Sequence, residues 1–171
     1  GIVTACATST NSIGEAYRVI KHGYADAMLA GGSEAAITPL CFAGFISCQA
    51  LSQSTDKNRA SIPFDKERAG FVMGEGGAVV MLEEYEHAKA RGAKIYAEVV
   101  GYGCTNDAYH MTAPNPEAIA SSRAIELAAE EGGIKADRDV YVNAHGTGTP
   151  LNDKTETNAL KRAFGEDAYK L

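Results

Sequence analysis

No stretch of this 171-residue chain approaches the roughly 18 consecutive apolar residues that a membrane-spanning helix needs, and no signal-peptide pattern opens it. Basic runs are missing as well: 16 Lys and Arg stand against 22 Asp and Glu, for a formal net charge of -6. Non-specific nucleic-acid binding requires a clustered basic face, so that class is set aside. An acidic partner would have to dock on a local patch, against the repulsion of the whole molecule. Cysteine is scarce: Cys6, Cys41, Cys48 and Cys104 show no CxxC spacing, and the four histidines supply no paired ligands at short spacing. Neither a disulfide frame nor a metal site is expected, and the thiols read as reduced and cytoplasmic. An initiator Met is lacking too, since the chain starts Gly1-Ile2-Val3 and stops at Lys170-Leu171 after a helix-like run. It reads as an internal piece of a longer protein.

What is present is ordinary globular composition, 45% hydrophobic and 22% charged. A chain of this length can bury about 70% of its unfolded surface. Ser, Thr and Asn gather before an apolar series at helical spacing (Ile13, Ala16, Tyr17, Ile20), which predicts a helix from Thr8 to Gly23 with side-chain oxygens on its free N–H groups. Ala25 to Ala30, ending in Gly31-Gly32, predicts a buried strand. A polar loop from Leu51 to Pro63 follows, then a loop and second buried strand within Phe71 to Leu82, and a charged helix from Glu83 to Arg91 closed by Gly92. Ile95 to Tyr102 reads as a third strand. Asn115-Pro116 reads as an N-cap opening a helix that runs to Gly132-Gly133. Val140 to Ala144 reads as a fourth strand, and a last helix runs from about Asn152 to Phe164. This alternation predicts an α/β fold of mainly parallel sheets covered by helices, with a seam near Ala93 between two similar halves.

Two places carry chemistry. Cys6, in Thr4-Ala5-Cys6-Ala7-Thr8-Ser9, sits where an apolar segment meets a helix start. A helix N-terminus favours thiolate over thiol, and backbone N–H groups there can stabilise an oxyanion. The competing reading is a small buried Cys between alanines. His145, in Asn143-Ala144-His145-Gly146-Thr147-Gly148-Thr149-Pro150, follows a strand, and such loops are where α/β folds place reactive groups. Its glycines allow close approach, and the hydroxyls of Thr147 and Thr149 suit a polar, amide-rich ligand. A Gly-rich turn with a surface His is equally compatible with the local pattern. Asp153 and Glu156 share a helix face; they are candidates to orient a cationic partner near the site, with a solvated acidic patch favoured by the helix dipole as the preferred reading. The glycines from Gly70 to Gly77 lack a following Lys-Ser/Thr, so they read as close backbone packing and not as a phosphate cradle. Phe42, Phe45 and Ile46 are candidates for lining an apolar pocket, with core packing as the default.

Taken together, the Cys6 and His145 segments resemble the nucleophile and first-histidine motifs of β-ketoacyl-acyl-carrier-protein synthases. The elongating synthases of bacterial type II fatty-acid synthesis, the 3-oxoacyl synthase II group, look most similar. The resemblance extends through Ala30-Gly31-Gly32-Ser33-Glu34, Pro63-Phe64-Asp65-Lys66-Glu67-Arg68, Gly70-Phe71-Val72-Met73-Gly74-Glu75 and Asp107-Ala108-Tyr109-His110-Met111-Thr112. It implies an α/β, thiolase-like five-layer αβαβα fold, incomplete here and drawn from both halves. Residues 1–93 would be the C-terminal part of the first half, and 94–171 the N-terminal part of the second. It implies a homodimer acting on acyl carrier protein, with no cofactor beyond the phosphopantetheine that arrives on that carrier. By match of motif, Cys6 accepts the acyl group, and His145 hydrogen-bonds the malonyl thioester carbonyl. Thr147 and Thr149 contact the phosphopantetheine arm, and Phe45 lies at the acyl pocket. The family's Lys and second His, and its C-terminal Gly-rich loop, have no match in these residues, and Gln49 stands where many relatives carry Arg. A polyketide ketosynthase domain and other thiolase-fold enzymes are the near alternatives. A chain-length factor would lack Cys6, and a plain binding module would leave it unreactive.

Overall fold

The computed structural model describes all 171 residues. The chain forms two compact units, one of Gly1–Ala36 with Gly74–Val100, the other of Ile37–Met73 with Gly101–Leu171.

The first unit contains helix α1 (Thr8–Lys21), strand β1 (Ala27–Glu34), strand β2 (Gly76–Glu83) and the short helix α3 (Tyr85–Ala90). The strands pair antiparallel, with Ala27 opposite Glu83 and Glu34 opposite Gly76. Gly31 and Gly32 lie inside β1, where they let α1 sit close. The Gly31 N–H donates to Ser12 Oγ at 3.3 Å, and a Cβ on Gly32 would stand only 2.2 Å from Ser9 Oγ. Both helices of this unit stop as their glycines predict. Gly23 lies at φ +74°, its N–H donates to Ile20 O, and Tyr24 N–H donates to Val19 O, which together satisfy two orphan carbonyls. Gly92 and Ala93 repeat the pattern on Lys89 and Ala88.

The second unit holds α2 (Pro39–Ser47), α4 (Ile119–Gly132) and α5 (Pro150–Phe164). Sequence periodicity gave no sign of α2, yet its start is explicit: Thr38 accepts a bond from Cys41 N–H and Pro39 occupies the first turn. Helix α4 begins later than expected. Asn115 Oδ1 caps a local turn by accepting from Glu117 N–H at 2.9 Å, and Ala118 at φ +55° then breaks the path before Ile119. Gly101 and Gly103 bring the preceding segment against α4, since Cβ atoms there would stand 2.1 Å from Ala128 O and 1.9 Å from Ala124 O. Tyr102 N–H, between them, donates to Glu131 Oε2 at 2.9 Å.

Four expectations are corrected. The one sheet is antiparallel, and parallel pairing is limited to a single bridge between Leu51 and Phe71. The third and fourth predicted strands carry no ladder, since no other strand of the chain pairs with them. β1 and β2 are also not buried: Leu29, Val79, Val80 and Met81 are exposed, and the buried apolar residues are mostly alanines. The accessible surface of 11874 Å² is about 45% of the roughly 26,000 Å² of an unfolded chain of this mass. Burial therefore falls short of the expected 70%. No helix is long and apolar enough to cross a membrane.

Glu83, at the end of β2, is largely covered and receives Arg91 Nη2 and His87 Nδ1, each at 2.6 Å. The Arg91 bonds, then that from His87, pull its carboxyl from an ordinary 4.5 down to about 2. A depressed folded value means the contribution is fully present above about pH 4.5 and vanishes as pH falls toward 2. Thermal melts should therefore show Glu83→Gln less stable than the parent at pH 7, with the gap closing near pH 2; a pH-independent gap would contradict the linkage. Replacing Gly103 by Ala should lower stability by about 1–3 kcal/mol, because backbone must shift to admit the methyl. Gly74→Ala, which meets nothing within 4 Å, serves as the neutral control in the same melts.

Candidate active site

Cys6 belongs to the first unit, in a 3-10 turn over Ala5–Ala7 directly ahead of α1. The sequence expectation of hydroxyl caps on α1 is not met. The cap residue is Ala7, without a side-chain bond, and the hydroxyls lace the turn that bears Cys6 instead. Thr4 N–H donates to Thr8 Oγ1, whose own proton goes to Ala5 O, both at 2.8 Å. Asn11 Nδ2 donates to Thr4 Oγ1 at 3.1 Å. Ala5 is held at φ +50°, a conformation that costs an L residue about 1–2 kcal/mol. The bonded Thr4–Thr8–Asn11 set supports that bend, and the bend leaves Cys6 exposed. The buried-Cys alternative is thereby removed.

His145, Thr147, Thr149 and Phe45 belong to the second unit. The His145 loop is held from α5 by two carboxylates. Glu156 Oε1 accepts from His145 N–H at 2.6 Å, and its Oε2 accepts from Gly146 N–H at 2.9 Å. Asp153 Oδ1 accepts from Gly148 N–H at 3.1 Å, and its Oδ2 accepts from Phe64 N–H at 2.7 Å. Asp153 is 1% exposed and faces Arg68 Nε at 3.1 Å. The expected solvated acidic patch is therefore wrong. These carboxylates answer backbone donors that a Gly-rich loop cannot pair by itself. The signal was available, in two acids placed just after a run of glycines, but dipole stabilisation explained them too easily. The His145 imidazole is left exposed and makes no hydrogen bond within the chain.

The two threonines come together, with Oγ1 atoms 2.8 Å apart. Thr149 is the cap of α5, accepting from Asn152 N–H at 3.3 Å, and Thr147 Oγ1 accepts from Thr149 N–H at 3.2 Å. A hydroxyl has one proton and two lone pairs. Whichever threonine donates to the other, one O–H of the pair remains uncommitted. Phe45 is half-exposed on α2 and meets Phe71 edge to face, with centroids 5.1 Å apart. Gln49 ends α2 at φ +54°, its N–H on Ile46 O and Ala50 N–H on Phe45 O, the role that glycine fills after α1 and α3. The glycine run packs closely at Gly70, where a Cβ would stand 2.6 Å from Ala50 O, and less tightly at Gly77, 3.3 Å from Ser33 Cβ, while Gly74 and Gly76 have open space. In the loop after Gly103, Asp107 accepts from Asn115 and Tyr109 N–H groups, which hold its carboxyl below the ordinary range. His110 Nδ1 accepts from Thr112 and Ala113 N–H at 3.1 and 3.0 Å.

The chain is 56% identical over 170 residues to a 3-oxoacyl-[acyl-carrier-protein] synthase 2 of Synechocystis, covering 99% of this chain and 41% of that protein. Against the protein of the same name from Staphylococcus aureus it is 53% identical over 169 residues, covering 99% and 42%. It thus spans about two-fifths of the length of these relatives. Among solved structures, a type II PKS acyl-carrier protein in complex with its ketosynthase bound to the hexaketide matches with a TM-score of 0.91 at 43% identity, over 97% of this chain and 41% of that one. A β-ketoacyl synthase from Burkholderia phymatum matches with a TM-score of 0.84 at 46% identity, over 94% and 39%. The fold is accordingly of the thiolase-like α/β class, present in part. With residues 1–88 matching the β-ketoacyl synthase N-terminal domain and 96–171 its C-terminal domain, the chain belongs to the β-ketoacyl synthase family.

Proposed function

We propose that the whole protein is an acyltransferase that elongates a fatty acyl chain by decarboxylative condensation with malonyl-acyl carrier protein. The observation that carries this reading is the identity of 56% and 53%, across 99% of the chain, to proteins named 3-oxoacyl-[acyl-carrier-protein] synthase 2. The Cys6 turn and the His145 loop supply the chemistry. The Cys6 thiolate attacks an acyl thioester, its sulfur bonds to the acyl carbon, and the carrier thiol leaves. Malonyl thioester then loses carbon dioxide, and the electron pair of the broken C–C bond passes into an enolate. A His145 N–H donor supports the negative thioester oxygen, a contribution that grows as charge develops. The enolate carbon attacks the acyl carbon on Cys6, a C–C bond forms, and the Cys6 sulfur departs. The spare O–H of the Thr147–Thr149 pair suits a carbonyl of the phosphopantetheine arm, and Phe45 offers apolar surface to the acyl chain. No resident cofactor is needed in this scheme. Acyl carrier protein is the expected partner, as it is for the solved ketosynthase complex, and the whole protein is expected to be a homodimer.

A polyketide ketosynthase is the second reading, favoured by the 0.91 TM-score to the type II PKS ketosynthase. Chain-elongation assays with saturated acyl carriers against poly-β-keto carriers separate the two.

Iodoacetamide applied to the whole protein should modify one thiol fast, Cys6, with protection by acyl-carrier substrate. Labelling spread evenly over Cys41, Cys48 and Cys104 would defeat the assignment. His145→Ala should slow malonyl-carrier decarboxylation by roughly 10²–10³-fold, the usual loss for one oxyanion donor. Acylation of Cys6 in that variant, read by intact mass, should persist.

A further inference from the structure

The segment from Pro63 to Gly70 is the bed on which the His145 loop rests, and Arg68 fastens the two together. Gly70 N–H donates to Gly148 O at 3.0 Å. These glycines are in direct apposition, since a Cβ on Gly148 would stand 2.8 Å from Gly70 O. Phe64 N–H donates to Asp153, and its ring lies 3.3 Å from where a Cβ on Gly146 would be. Arg68 spans the whole assembly. Its Nη1 donates to Asp65 O and its Nη2 to Pro150 O, each at 3.0 Å. Its Nε lies 3.1 Å from Asp153 Oδ2 as an ion pair without hydrogen-bond geometry, with the Arg side chain 19% exposed and the Asp side chain 1% exposed.

We propose that Arg68 is a positioning residue for His145, acting through Asp153 and the Pro150 carbonyl. The proposal rests on the reading that His145 serves the thioester. The physical case is geometric. The guanidinium fork addresses the start of the Pro63–Gly70 segment, the first turn of α5 and the carboxylate that holds Gly148, all with one planar group. A buried carboxylate also requires a cationic or hydrogen-bonded partner, and Arg68 is the cation facing this one. Lysine would keep the charge but could not bond both carbonyls while facing the carboxylate. Loss of the fork frees the loop whose backbone carries the imidazole, and a misplacement of about 1 Å at a reacting group can lower a rate by roughly 10²-fold.

The test compares Arg68→Lys, Asp153→Asn and the double variant in the whole protein. Amide hydrogen exchange across residues 144–149 is read against α4 as an internal reference, beside kcat and KM for malonyl-carrier decarboxylation. Each single variant is expected to speed exchange in 144–149 by roughly ten- to a hundredfold, the scale of one charge-assisted bond, while α4 is unchanged. kcat should fall at least about tenfold with KM nearly constant, and the double variant should match the worse single one. Exchange that rises equally in α4 would make Arg68 a general stabiliser and overturn the proposal, as would additive losses in the double variant. Should a variant not fold, the parent decides: Phe64 and Gly148 amides exchanging as fast as unprotected loop amides would overturn it as well. If His145→Ala retains full decarboxylation while the exchange pattern appears, the catalytic reading of His145 fails and the Arg68 clamp stands.

Discussion

A glycine-rich loop presents more backbone donors than it can satisfy, and the architecture around His145 follows from how they are paired. Two carboxylates on the first two turns of α5 accept four N–H groups, from Phe64, His145, Gly146 and Gly148. Asp153 does this while enclosed, its charge met by those amides, by Asn152 Nδ2 and by Arg68 beside it. The imidazole thus projects from backbone fixed at both flanks while itself remaining free. In the other unit, the Thr4–Thr8–Asn11 bonds do similar work for a bend that alanine adopts reluctantly.

Much of this was legible beforehand. Apolar spacing placed α1 within two residues, and Gly23 and Gly92 marked helix ends because only a residue tolerant of positive φ fits there at little cost. The Cys6 and His145 motifs placed the chain in its family before any coordinates. Helix α2 was hidden, since Pro-Leu-Cys-Phe-Ala-Gly-Phe-Ile is apolar nearly throughout and shows no periodicity; only Thr38-Pro39 announced it. The roles of Asp153, Glu156 and Arg68 were illegible for a different reason. Each depends on partners up to 89 residues away in sequence, and local pattern carries no record of such distances.

Strand geometry was the weakest part of the reading. Alternation and β-branched content identify residues suited to a sheet, but a ladder needs neighbours. Ile95 to Tyr102 and Val140 to Ala144 have the composition without a strand partner, and the Gly101–Gly103 stretch lies against α4 instead. The same lack leaves Leu40 and Ile46 on α2, and Val79 to Met81 on β2, open to solvent.

The Thr147–Thr149 contact has an implication for recognition. Its two oxygens share a proton that can belong to either, with no heavy atom moving, while the backbone amides of Thr149 and Asn152 anchor one lone pair on each. An acceptor approaching from either side therefore finds a donor ready. Such a switchable pair tolerates some variation in where a flexible amide chain comes to rest, which a single fixed donor would not.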